Sequence, residues 1–197
     1  MASIPVSHYP NTLIATDVDG DGISDIVTGA SKGTVSIVYM TSSFGFREVQ
    51  SAPAGTFLQD IAAMRLDRDP FTDIVALDQL GSAFVYSNGP DAMTPIHELR
   101  VTGRALTVIA ADVTGDGISD VVIGQSDGFL FVFEFDERGD VKRSFSIRPV
   151  SNAFDLSTAD LDSDGFQDVL ISDPSSSHLT ILYGPLSPPT RRRGVRP

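Results

Sequence analysis

Four acidic loops of one design set the frame of this chain, starting at residues 17, 65, 112 and 160, in steps of 48, 47 and 48 residues. Each is flanked by short apolar runs in the same phase: Leu13 to Ala15 and Ile26 to Thr28 around the first, Phe154 to Thr158 and Val169 to Ile171 around the last. A third run follows each pair (Thr34 to Met40, Ser82 to Tyr86, Phe129 to Phe135, Leu179 to Tyr183). A fourth closes three of the units, at Phe46 to Gln50, Ile96 to Val101 and Lys142 to Arg148. The runs are rich in Val, Ile, Phe and Thr and end in turn residues, which predicts strands. No stretch carries sustained helical spacing of apolar positions. Self-similarity at this period marks a solenoid, propeller or array, and four short strands in under fifty residues is the size of one propeller blade. The spacing therefore predicts an all-β propeller of four blades, each a four-stranded antiparallel sheet, over about 11–52, 56–101, 104–148 and 152–183.

Three of the loops share one chemistry. Asp17, Asp19 and Asp21 alternate, Ile23 stands at the seventh position and Asp25 at the ninth. Asp112, Thr114, Asp116, Ile118 and Asp120 repeat the set, and Asp160, Asp162, Asp164, Phe166 and Asp168 repeat it again. A tightly curled loop turns the first, third and fifth side chains inward, adds the seventh carbonyl and closes with the ninth carboxylate. That is the hard, all-oxygen cage that Ca²⁺ prefers. Gly22 supplies the sharp turn at position six. A single copy would read equally well as a polar hairpin turn; three in register favour the metal. Thr114 offers a neutral hydroxyl, so the third-blade site is expected to bind less tightly than the first. An EF-hand does not fit, because its twelfth position needs a bidentate Glu before a helix, and the twelfth positions here are Thr28, Ile123 and Ile171. The second loop departs from the pattern: Arg65 replaces the first Asp and Pro70 the turn glycine, while Asp67, Asp69 and Asp73 remain. It is expected to hold no ion, with the Arg65 guanidinium pairing with those carboxylates in the cation's place.

These units resemble the FG-GAP or VCBS-type repeats of integrin α-chain propellers and of related bacterial and fungal propellers. Val27-Thr-Gly-Ala30 is similar to part of the motif that names the family, and Val122-Ile-Gly124 is a weaker copy. The resemblance spans roughly residues 12 to 183. It implies that the Asp-rich loop joins the first and second strands of a blade and binds Ca²⁺, two or three ions in all. It also implies ions on one face and partner-contacting loops on the other, near Ser31 to Gly33, Gln79 to Gly81, Ser126 to Gly128 and Pro174 to Ser177. The inter-blade connections near Ala52 to Thr56 and Thr102 to Arg104 would join them. Seven blades are common in such propellers, so four leave open closure alone, pairing with a second copy, or a fragment.

Net charge is −12, and the three full loops carry 11 of the 26 acidic residues. Three bound Ca²⁺ would bring the net to about −6, which makes much of the acidity metal-ligand charge. An acidic body argues against a nucleic-acid partner for the domain. There is no cysteine, no apolar run of membrane-spanning length, and no basic-then-apolar leader at the N-terminus. Ser3 to Ser7 alternates weakly and falls where a fourth strand belongs, so it is expected to complete the last blade and close the ring. Residues 1–184 form the expected domain, and the Pro/Arg-rich stretch 185–197 a disordered tail that reads first as a solubilising segment and second as a docking segment for an acidic surface, anionic lipid or nucleic acid.

No catalytic constellation emerges. His8, His97 and His178 are scattered, and Gly20-Asp-Gly22 lacks the third glycine and the helix of a dinucleotide loop. Alternating Phe129, Phe131, Phe133 and Phe135 read as core. The expected function is a non-enzymatic, calcium-stabilised protein-interaction or adhesion module, with self-association or another protein as partner. A glycan-binding lectin is the second reading, weakened by the absence of Trp, and a polysaccharide lyase or hydrolase the third. The resemblance implies an extracellular or cell-surface location, with the cytoplasm as the alternative.

Overall fold

Alternating β-branched and apolar positions, cut every six or seven residues by Gly, Asp and Ser turns, leave these segments no other regular structure than short strands. The computed structural model describes residues 3–43, 45–90 and 92–189. Among the described residues fifteen strands fall into four antiparallel sheets, each a simple meander. Blade one is β1 (Pro10–Thr16), β2 (Asp25–Ala30), β3 (Thr34–Met40) and β4 (Phe46–Pro53). Blade two is β5 (Leu58–Met64), β6 (Asp73–Asp78), β7 (Ser82–Ser87) and β8 (Thr94–Arg100). Blade three is β9 (Ala105–Ala111), β10 (Asp120–Gln125), β11 (Leu130–Phe135) and β12 (Val141–Ile147). Blade four is β13 (Asp155–Ala159), β14 (Asp168–Ser172) and β15 (Leu179–Leu182). The sheets are the blades of a β-propeller. Residues of all four inner strands, among them Ile14, Ala62, Val108 and Leu156, line an open cavity of about 400 Å³.

The core sits between blades. Val27, Val35, Ile37 and Tyr39 of blade one meet Leu58, Ile61, Ile74 and Tyr86 of blade two. Val75, Leu77 and Val85 meet Val108, Ile123, Phe133 and Phe135 across the second seam. Val122, Leu130 and Val132 meet Leu156, Val169 and Ile171 across the third. Phe131 packs against the second cluster as well, so Phe131, Phe133 and Phe135 are core, as their spacing predicts, whereas Phe129 is half-buried with the Arg148 guanidinium over its ring. Each fully buried Leu, Ile or Phe contributes roughly 2 kcal/mol, so the seams carry most of the hydrophobic stabilisation. Among the described residues no comparable cluster joins blade four to blade one.

The expected closure of the last blade by residues 3–7 does not occur. Those residues form no strand, and the fourth sheet has three strands among the described residues. The Ser7 hydroxyl instead meets Ser36 Oγ on β3 at 3.2 Å, and the Tyr9 carbonyl accepts the Ser31 amide. Ser7 and Tyr9 are thus held to blade one, and Pro10 already lies in β1. At the other end, residues 184–189 return across blade three. The Leu186 amide donates to the Val113 carbonyl at 2.7 Å and its side chain joins the third cluster. The tail expected from residue 185 is thus anchored at its start, and its basic part, 190–197, lies outside the described residues. No helix among the described residues is long and apolar enough to cross a membrane.

Candidate metal centres

The meander places every first-to-second strand turn on one rim of the propeller, and the start of each outer strand on that same rim. The four acidic loops therefore line up there. Their ninth residues, Asp25, Asp73, Asp120 and Asp168, open β2, β6, β10 and β14 and are buried. One oxygen of each accepts the amide of the loop's second residue: Val18, Leu66 and Leu161 at 2.9 Å and Val113 at 3.0 Å. In three blades the other oxygen accepts an amide at or just past the end of the third strand, from Met40, Asn88 or Gly184. The ninth carboxylate is thus a clasp that ties loop to sheet, in the degenerate second loop as in the others. Burial raises the pKa of Asp25, takes that of Asp73 up to about 6 and that of Asp120 up to about 7, against the lowering effect of their backbone donors.

Loops one and four gather carboxylates as the spacing predicts, but not all of them. Oxygens of Asp17, Asp19 and Asp21 converge within 4.8 Å of one another, as do those of Asp160, Asp162 and Asp168. Asp25 and Asp164 lie outside those triplets. The first Asp of each loop is also its folding template: Asp17 accepts the amides of Gly20 and Gly22, Asp112 those of Gly115, Asp116 and Gly117, and Asp160 those of Asp164 and Gly165. The seventh residues Ile23, Ile118 and Phe166 donate their amides to the fifth-position Asp21, Asp116 and Asp164. Gly22 and Gly117 have φ of +84° and +88°, so the sixth position needs glycine. The fourth position is left-handed too, and loop four places Ser163 there at φ +63°.

Loop three is built differently. Among the described residues no three of its carboxylates converge, and Asp116 pairs with Lys142 at 3.1 Å. Thr114 Oγ1 and Asp120 Oδ1 are buried without a hydrogen-bond partner. In loop one, Arg47 pairs with Asp19. Arg47 and Lys142 each stand 30 residues after the start of their loop, on the outer strands β4 and β12. That recurrence of a basic residue in phase with the acidic loops was the available signal for them, and the sequence reading missed it. It missed Asn88 too, which is buried and donates its side-chain amide to the Val18 carbonyl, locking loop one to blade two.

The expected ion pair of Arg65 with Asp67, Asp69 and Asp73 does not form among the described residues. The guanidinium makes one long bond, 3.4 Å to the Asp69 carbonyl, and lines a cavity of about 790 Å³ with Asp17, Arg68 and Thr72. Asp73 is committed to the two backbone amides of its clasp, and Asp67 and Asp69 accept the amides of Asp69 and Phe71. With its carboxylates satisfied locally, the loop leaves Arg65 turned to the neighbouring blades. The loops also stack on one another: a Cβ on Gly115 would meet the Phe166 ring at 2.7 Å, and one on Gly20 would meet the Pro70 carbonyl at 3.2 Å.

The donor sets of loops one and four are anionic and all oxygen, which suits a hard divalent cation. The unpartnered buried oxygens of Thr114 and Asp120 suit one as well, because buried polar atoms are otherwise nearly always satisfied. Comparison with known proteins gives the same frame. Residues 112–171 match the FG-GAP-like repeat and residues 9–38 the FG-GAP repeat. The chain carries FG-GAP repeats. Integrin alpha-4 of Xenopus laevis is 26% identical to it over 148 residues, which is 60% of this chain and 14% of the integrin. The FG-GAP chain thus spans a small part of that relative. Two crystal structures of BBS1N in complex with ARL6DN, soaked with lead and with mercury, share the fold at TM-scores of 0.62 and 0.67 and 12% identity. They cover 90% and 94% of this chain, and 57% and 54% of theirs.

Proposed function

We propose that this FG-GAP propeller is a calcium-stabilised protein-interaction or adhesion module with no catalytic activity of its own. The observation that carries the reading is the convergence of three carboxylates at the same loop in blades one and four. Calcium at loop one would take Asp17, Asp19 and Asp21, with the Ile23 carbonyl and Asp25 completing the shell. Loop four would use Asp160, Asp162, Asp164, the Phe166 carbonyl and Asp168. Loop three, with Asp112, Thr114, Asp116, the Ile118 carbonyl and Asp120, is the weaker site, and the second loop takes none. The ion neutralises carboxylates that otherwise repel, and binding only to the folded form adds stability by mass action.

A protein partner is supported by the relatives: one is an integrin alpha chain, and BBS1N was crystallised in complex with ARL6DN. The turns on the opposite rim fit that role, since Leu80 is 68% exposed there and lines a shallow cavity with Gln79, Gly103 and Arg104. The integrin likeness also supports an extracellular setting, where calcium is abundant. Calorimetric titration with Ca²⁺ tests the reading. Two or three sites are expected, with one lost in Asp17→Ala, and a melting temperature that falls in chelator. No binding heat, together with a melting point indifferent to chelator, would overturn it.

A further inference from the structure

The inner strands carry a repeat that the calcium loops do not explain. Five residues before each loop start stand Thr12, Asp60, Thr107 and Asp155, alternating around the arc. Between blades two and three this pair forms a clasp. Asp60 Oδ2 accepts the Thr107 hydroxyl at 3.0 Å and the Val108 amide at 2.9 Å, while Oδ1 accepts its own neighbour, the Ile61 amide, at 2.9 Å. Asp155 repeats the second half of this arrangement, with Oδ1 on the Leu156 amide at 3.0 Å. Its Oδ2 has no partner among the described residues, and its side chain is exposed.

The complementary half stands at the opposite end of the arc. Thr12 pairs with Gly29 and Leu13 with Thr28, the same register by which Thr107 pairs with Gly124 and Val108 with Ile123. The threonines are presented alike: a Cβ on Gly29 would meet Thr12 Cγ2 at 2.6 Å, and one on Gly124 would meet Thr107 Cγ2 at 2.9 Å. Asp60 and Asp155 correspond too, paired with Leu77 and Ser172. What differs is cover. Val108, inside the formed clasp, is 3% exposed, and Leu13 is 68% exposed. Phe154, Leu179 and Tyr183 on blade four are also more than half exposed.

We infer that two copies of this chain join end to end, Asp155 of each clasping the Thr12 hydroxyl and the Leu13 amide of the other. A two-fold axis makes both seams identical, so the pair closes with no end left over. The Thr–Asp alternation then runs unbroken around eight blades, and every Asp meets the threonine of the next blade. The exposed Leu13 and the apolar side chains of blade four gain the cover that Val108 has within one chain. The occupant is a second copy because the missing half of the clasp, in register and presentation, is this chain's own blade one.

Mass in solution tests this on the 197-residue chain, by light scattering at micromolar concentration, in calcium and in chelator. A mass twice the 21.0 kDa of the chain is expected in both, which separates this inference from the calcium reading. Asp155→Arg and Thr12→Asp each place like charges or bulk across the seam and are expected to give monomers. The double variant restores opposite charges and the dimer. Hydrogen exchange at the Leu13 amide gives a readout on the unaltered chain, with protection rising as concentration rises. A monomeric native chain, or a dimer indifferent to Asp155→Arg with an unprotected Leu13 amide, overturns the inference.

Discussion

Asp73 accepts the Leu66 amide at 2.9 Å, the same bond that Asp25 makes to Val18, although the loop around Asp73 has lost its first carboxylate and its turn glycine. The ninth carboxylate therefore has a use that does not require a cation. It ties the loop to the sheet in every blade, and its retention in the second loop follows from that.

Truncating it removes the acceptor of two backbone amides in a buried place. Asp73→Ala is expected to destabilise the chain by about 2–4 kcal/mol, since each orphaned buried donor costs about 1–3 kcal/mol. Urea unfolding would show that loss equally with calcium and with chelator. Asp17→Ala, which removes only the partly exposed acceptor of the Gly20 and Gly22 amides, is expected to cost more stability in calcium than in chelator.

The buried aspartates also set a pH dependence. Asp73 and Asp120 have folded-state pKa values of about 6 and about 7, both raised from 3.8 by burial. Between 3.8 and these raised values the folded chain binds more protons than the unfolded chain, so stability falls as pH rises from about 4 through 7. In chelator, the melting temperature is expected to decline across that window. Calcium, which takes the anionic form, is expected to stabilise most at its upper end. A melting temperature that climbs steadily from pH 4 to 7 in chelator would contradict this.

Ser163 holds a left-handed backbone where loops one and three have Gly20 and Gly115. That conformation costs a non-glycine residue about 1–2 kcal/mol, and glycine's extra freedom in the unfolded chain takes back part of the gain. Ser163→Gly is expected to stabilise the chain by up to about 1 kcal/mol, read as a higher denaturation midpoint with unchanged slope.

Arg47 on Asp19 occupies a carboxylate that the proposed calcium at loop one would need. An exposed ion pair is worth at most about 1 kcal/mol. Arg47→Ala is therefore expected to tighten calcium at that loop by up to about fivefold. Calorimetry would show the change in one site and none in the loop of blade four.

Much of this protein was legible in one dimension. The spacing of acidic loops and apolar runs fixed blade number, blade size and the identity of the residues at each rim, because strand alternation and turn chemistry are local. The convergence of Asp17 with Asp19 and Asp21 was readable for the same reason, all three lying within one turn. What needed the tertiary structure was everything that joins one blade to another. Whether Ser3 to Ser7 completed blade four depended on Ser7 meeting Ser36. Arg65 could be matched with its loop carboxylates only until backbone amides were seen to hold them. Asp60 and Asp155 read alike in the sequence, yet one is bonded across a seam and the other, among the described residues, only to its own neighbour's amide. Repeats make every seam look equivalent, and only packing in three dimensions decides which seams a single chain can fill.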